Sequence, residues 1–65
     1  MRVTLNGEAR EVTATTVAAL VDELGLDRRK VAIERNLEIV PRSLHEGAAL
    51  GDGDRIEIVQ FVGGG

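Results

Sequence analysis

Val3 and Leu5 stand apolar between polar neighbours, and Asn6-Gly7 follows at once. Asn-Gly between two alternating runs predicts a two-residue hairpin, because both central turn residues need a positive φ. The return strand carries Val12 and its neighbours. Thr13 to Thr16 then form a loop, in which the hydroxyl of Thr15 or Thr16 can cap the next element. Val17, Leu20, Val21 and Leu24 recur at i, i+3, i+4 and i+7, one face of a helix. Gly25 supplies a left-handed cap and Leu26 the hydrophobic contact beyond it. At about eight residues this helix spans roughly 12 Å. So short a helix does not persist alone in water, and its apolar face must lie on a sheet.

Val31, Ala32 and Ile33 predict a third strand, Arg35 to Glu38 a turn, and Ile39-Val40 a short partner strand ended by Pro41. Proline has no N–H for the ladder, which places that strand at an edge. Residues 42–50 read as irregular with one helical turn, and Gly51-Asp52-Gly53-Asp54 as a tight turn. Arg55 to Phe61 alternates, with Ile56 and Ile58 on one face and Arg55, Glu57, Val59 and Phe61 on the other. The order is hairpin, helix, strand, short strand, strand: an α+β arrangement with a mixed sheet of four to five strands and one main helix on one face. A right-handed crossover brings a later strand in parallel beside the first. No second helix is left to cover the other sheet face, so Val59 and Phe61 mark a candidate docking surface. The expected organisation is one domain over residues 1–62 followed by a Gly63-Gly64-Gly65 tail.

Composition narrows the chemistry. The 65 residues include no Cys, Trp or Tyr, and carry a net charge of −3. Without Cys there is no disulfide framework, thiolate metal site or redox thiol. The longest apolar run, Val17 to Val21, falls far short of the ~20 residues of a membrane span, and the first residues do not read as a signal peptide. The expected location is cytoplasmic, with no membrane partner. The basic cluster Arg28-Arg29-Lys30 follows the helix, where cations suit the negative end of its dipole. With no aromatic beside it to stack on bases, nucleic acid is not an expected partner. Lys30 is the only lysine.

Conventional catalytic groupings are missing. His45, the one histidine, reads as a surface-loop residue rather than a base, with only Ser43 nearby. Asp52 and Asp54 resemble the start of a calcium loop, but Ile56 and Val59 follow where oxygen ligands belong. Asp22 and Glu23 read as a solvated helix face. No catalytic residue and no metal site is expected.

The glycine triplet is the unusual feature. It follows directly on the strand that carries Val59 and Phe61, and it ends the sequence at a carboxylate. Three residues extend about 10 Å, and without Cβ atoms they thread a narrow channel unhindered. An α-carboxylate, ionised at neutral pH with a pKa of about 3.5, is a poor electrophile. Joined to AMP it becomes a mixed anhydride with a good leaving group, and a sulfur nucleophile can displace AMP to leave a thiocarboxylate. In a chain with no thiol, that end is where sulfur can ride.

Leu5-Asn6-Gly7-Glu8, Thr16-Val17-Ala18 through Glu23-Leu24-Gly25-Leu26, Val31-Ala32-Ile33-Glu34-Arg35-Asn36, Ile39-Val40-Pro41-Arg42-Ser43, and Gly51-Asp52-Gly53-Asp54 through Gly65 together resemble the ThiS family of sulfur carriers. The resemblance implies a ubiquitin-like β-grasp fold and a protein that is no enzyme. It implies three partners: an ATP-dependent, E1-like activating enzyme that adenylates the terminal glycine, a sulfur-transfer enzyme, and a thiazole synthase that takes the sulfur for thiamine. Carried over, Gly65 is the acyl residue of the adenylate and thiocarboxylate, Gly64 and Gly63 thread the partner, and Phe61 and Val62 are the nearest anchors. Val59 joins them on strand alternation alone. No cofactor is expected to be bound, ATP being used by the activating enzyme. Leu37 departs from the glycine or polar residue common at that turn in the family, and Leu44 to Gly47 lack an aromatic often found there. A carrier for molybdopterin or cysteine synthesis, a ubiquitin-like protein modifier, and a regulatory binding module stay open as alternatives.

Overall fold

The computed structural model describes residues 1–61. Five strands and one helix follow the chain as β1 (Arg2–Leu5), β2 (Glu8–Glu11), α1 (Val17–Glu23), β3 (Val31–Arg35), β4 (Glu38–Val40) and β5 (Arg55–Gln60). Single 3₁₀ turns occupy Arg28–Lys30 and Arg42–Leu44. Strand order in the one sheet is β2-β1-β5-β3-β4. β1 and β5 run parallel, with Leu5 opposite Ile56, and the other pairings are antiparallel. This is the β-grasp arrangement: the last strand lies at the centre and the helix crosses one face.

Local chemistry fixes the hairpins. Asn6 and Gly7 have φ of 48° and 84°, closing the β1–β2 turn as the Asn-Gly pair demands. Asn36 and Leu37, at 51° and 71°, make the same two-residue turn between β3 and β4. There a leucine occupies a left-handed position that costs roughly 1 kcal/mol for a residue with a Cβ. Thr16 caps α1, its hydroxyl accepting from the Ala19 amide at 3.1 Å. The helix ends in a Schellman motif: Leu26 N–H donates to the Val21 carbonyl and Gly25 N–H to that of Asp22.

Val17, Leu20 and Val21 of α1 are fully buried on Val3, Leu5, Val31, Ile33 and Ile56 of the sheet. β1 and β3 alternate buried and exposed positions, so the residues between these point to the opposite face, which no described element covers. β4 lies at the edge, as Pro41 requires.

Two expectations are corrected. His45 is no surface residue: it is 2% exposed, and its Nε2 donates to the Val40 carbonyl at 2.9 Å. The turn at Arg42–Leu44 folds the segment against the helix start, where Ala18 N–H donates to the His45 carbonyl. Glu23 is not simply solvated. Its carboxylate accepts from the Thr13 amide and hydroxyl and from the Ala14 amide, pinning the loop between β2 and α1. The Thr13 hydroxyl and amide bonds are the main reason its carboxyl titrates below the usual range. Arg28, Arg29 and Lys30 follow the helix as expected, in a separate turn of their own. Their separate turn is capped by Asp27, which accepts from the Arg29 amide and side chain, the latter bond chiefly lowering its pKa to about 2.

Candidate functional site

The site begins with β5, because the tail continues from it. β5 pairs with β3 over its length, from Arg35↔Ile56 to Val31↔Gln60. The ladder runs one step further, where Phe61 N–H donates to the Lys30 carbonyl at 2.7 Å. On the other side β1 pairs with β5 only at Arg55 and Ile56. A side chain continues what the backbone does not. The Asn6 amide accepts from Ile58 N–H at 2.8 Å and donates to the Ile58 carbonyl at 3.3 Å, standing in for a strand residue. At the strand's start Asn36 acts in the same way: its Oδ1 accepts from Arg55 N–H at 2.9 Å, and its own N–H donates to the Arg55 carbonyl. The two turn asparagines therefore clamp β5 from opposite sides. From the sequence both are turn residues, and the positive φ is a reason only at Asn6. The remaining signal was that asparagine, unlike glycine, brings an amide to the turn.

Asp54 sets the entry into β5. Its carboxylate accepts from Arg35 Nε at 2.8 Å, Asn36 Nδ2 at 3.0 Å and the Gly51 amide at 2.7 Å. Burial pushes its pKa up. The bonds from Asn36, Gly51 and Arg35 outweigh that and hold the carboxyl below its usual range. The Asp-Gly turn resembling a calcium loop thus spends both of its carboxylates on structure, Asp52 accepting from the Arg2 amide at 2.8 Å. Among the described residues no group of three or more His, Cys, Asp or Glu side chains could hold a metal.

Val59 and Phe61 lie on the uncovered face, 61% and 50% exposed, as alternation requires. Opposite Val59 stands exposed Ala32. Ile39 of β4, 76% exposed, lines the same shallow depression with Val59 and Ala32. The structure thus widens the expected patch to the sheet edge. Ile39 was legible in principle: two consecutive apolar residues, Ile39-Val40, on one strand cannot both face the core. Val62, Gly63, Gly64 and Gly65 lie outside the described residues.

Comparison with known proteins decides the family. The model of the ThiS family matches residues 3–65. The chain belongs to the ThiS family. Among curated ThiS relatives, the sulfur carrier protein ThiS of Bacillus subtilis is 42% identical over 50 residues, covering 77% of this chain and 76% of that protein. A thiazole synthase of Paramagnetospirillum magneticum is 58% identical over 66 residues, covering the whole of this chain. A thiazole synthase of Magnetococcus marinus is 42% identical over the same length. The chain spans about a fifth of the length of these two relatives, 20% in each case. The crystal structure of the ThiS thiamine biosynthesis protein from Geobacter metallireducens superposes with a TM-score of 0.83 at 30% identity, each chain fully covered. The ubiquitin-like β-grasp expected from the sequence is therefore the fold of this ThiS chain. Among the described residues no helix is long and apolar enough to cross a membrane.

Proposed function

We propose that this chain is a sulfur carrier for the thiazole moiety of thiamine, working through its last residue. The observation that carries the reading is the family match running from residue 3 through the glycine end to residue 65. In the proposed cycle, a Gly65 carboxylate oxygen attacks the α-phosphorus of ATP on an activating enzyme, and pyrophosphate leaves. Hydrosulfide, HS⁻, released by a sulfur-transfer enzyme then attacks the acyl carbon, AMP leaves, and the S–H proton is lost to solvent. The resulting thiocarboxylate is ionised and nucleophilic, and it passes its sulfur to a thiazole synthase. Two relatives that contain a counterpart of this chain bear that enzyme's name, which supports a thiazole synthase as acceptor.

The chain's own part is presentation. Val59 and Phe61 seat the uncovered face on the partner, Val62 extends the anchor, and Gly63 and Gly64 let the terminus into the partner's channel. The protein contributes no general base, and the electrostatics of adenylation belong to the activating enzyme.

Intact-mass spectrometry after incubation with the activating enzyme, ATP and a sulfur source tests the reading. The expected product gains the mass of one oxygen-to-sulfur exchange, located at Gly65 by fragmentation. A form lacking Gly64 and Gly65 should keep its fold and gain nothing. Sulfur uptake by the truncated form would overturn the terminal-acyl chemistry. Stable conjugates to other proteins in place of a thiocarboxylate would point to a protein modifier instead.

A further inference from the structure

The uncovered face is ordered by charge as well as by polarity. Exposed Lys30 sits opposite Phe61 at the end where β5 hands over to the tail. Arg42 reaches the same end, its Nη1 donating to the carbonyl of Arg29, the residue before Lys30, at 3.4 Å. Neither cation is engaged in an ion pair among the described residues, whereas Arg28 and Arg29 hold Asp22, Glu46 and Asp27. Two register steps inward, the next pair on this face is the apolar Ala32↔Val59. Two steps further, the next pair on this face is Glu34↔Glu57, two carboxylates directly opposite each other, with Ile39 opposite Glu34 on its other side. Arg55 reaches Glu57 at 3.4 Å. Glu34 has no ion-pair partner among the described residues. Like charges facing across an antiparallel pair weaken a sheet, and Arg55 offsets only Glu57, so the fold gives no reason for the carboxylate at Glu34.

A flat apolar face alone cannot tell one docking orientation from the same orientation turned half-way round in its plane. The charges can. Resting on the carrier reading above, we propose that this face is an orienting surface. It fits a protein partner with an apolar centre, carboxylates beside the entrance that receives residues 62–65, and arginine or lysine facing Glu34 and Glu57. In that orientation each end of the face meets opposite charge. Turned round, both ends meet like charge. Complementary charge of this kind acts mainly on the encounter rate and on rejection of wrong orientations.

The test uses the full chain and its ATP-dependent activating enzyme, with association followed by stopped flow from low to high salt. Glu34→Lys and Lys30→Glu are compared with Glu8→Lys and Arg10→Glu, which make the same charge changes on β2 at the opposite edge. The first two should each slow association about tenfold at low salt, the difference shrinking as salt screens it, while the β2 variants stay within about twofold. Glu34→Lys should also unfold at equal or higher urea than the parent, because it replaces repulsion with attraction toward Glu57; that result separates docking from folding. Equal effects at the two edges, or none at either while the parent binds, would overturn the orienting role and leave the carrier reading standing. A parent chain that neither binds this enzyme nor gains sulfur overturns the carrier reading, and the orienting role with it.

Discussion

Asn6→Gly isolates the clamp on the outward half of β5. Glycine keeps the positive φ of 48° without strain, so the substitution removes the side-chain amide and little else. Two bonds to Ile58 are lost, one of 2.8 Å and one of 3.3 Å. An intramolecular hydrogen bond contributes about 0.5–1.5 kcal/mol net, and the longer bond belongs at the low end. Glycine adds a few tenths through the greater freedom of the unfolded chain. The sum is about 1–2 kcal/mol, a factor of roughly 5–30 in an opening equilibrium. Ile58 N–H then faces solvent with no other partner, since β1 reaches only Ile56. Native-state hydrogen exchange read by NMR should show the Ile58 amide losing protection by that factor. The Glu57 and Val59 amides, on the β3 side of the ladder, should lose only what global destabilisation accounts for. Circular dichroism in urea supplies the global value, because the chain has no Trp or Tyr to report by fluorescence. Unchanged protection at Ile58, or a loss equal at all three amides, would refute the local clamp.

Leu37→Gly should stabilise the fold by about 1 kcal/mol, raising Tm by about 4–8 °C, since Leu37 holds φ of 71° and its side chain is 73% exposed. Acid unfolding should track three carboxyls. Asp27, Glu23 and Asp54 all titrate below their ordinary values in the folded chain, Asp27 at about 2 instead of 3.8. Their stabilisation is full above the unfolded values and is lost as pH falls through the folded ones. Urea midpoints should therefore drop between roughly pH 4 and 2, and Asp54→Asn should flatten that dependence while costing about 2–4 kcal/mol at neutral pH. Phe61→Asp should weaken binding of the activating enzyme in titration calorimetry while leaving the urea midpoint within about 0.5 kcal/mol of the parent, because the side chain is half exposed and covers no core residue.

Local signals carried most of the fold. Asn6-Gly7, the i, i+3, i+4, i+7 spacing from Val17, Gly25 and Pro41 each act through their own backbone or nearest neighbours, and each element formed where they place it. What was illegible depends on residues brought together from afar. His45 looked like a surface-loop residue because it lies in an irregular segment with only Ser43 nearby, yet its position is set by the Val40 carbonyl and the helix start. Glu23 lies on the polar side of the helical pattern, but the loop that needs its carboxylate lies ten residues earlier in the chain. The site divides in the same way. Val59 and Phe61 follow from alternation on a single strand. Ile39 joins them only once β4 is paired to β3, and Lys30 only once the ladder is counted to Phe61.

That division bears on the proposed delivery of the terminus. A tail of three glycines has little conformational preference of its own, so its aim must come from its root. The structure places there a central strand held along one side by β3, pinned at Ile58 by Asn6 and at Arg55 by Asn36, with Asp54 fixing the turn that leads in. None of these contacts uses the outer face, where Val59, Phe61 and Ile39 stay exposed. The groups that stiffen the root are therefore separate from those available to a partner. Weakening the clamp should lower the fraction of productive encounters without changing the surface that docks, whereas changing Phe61 should do the reverse. Measured on one activating enzyme, Asn6→Gly should reduce the sulfur-transfer rate at saturation and Phe61→Asp chiefly the apparent affinity. If both variants moved the same parameter, root and surface would not be separable functions of this strand.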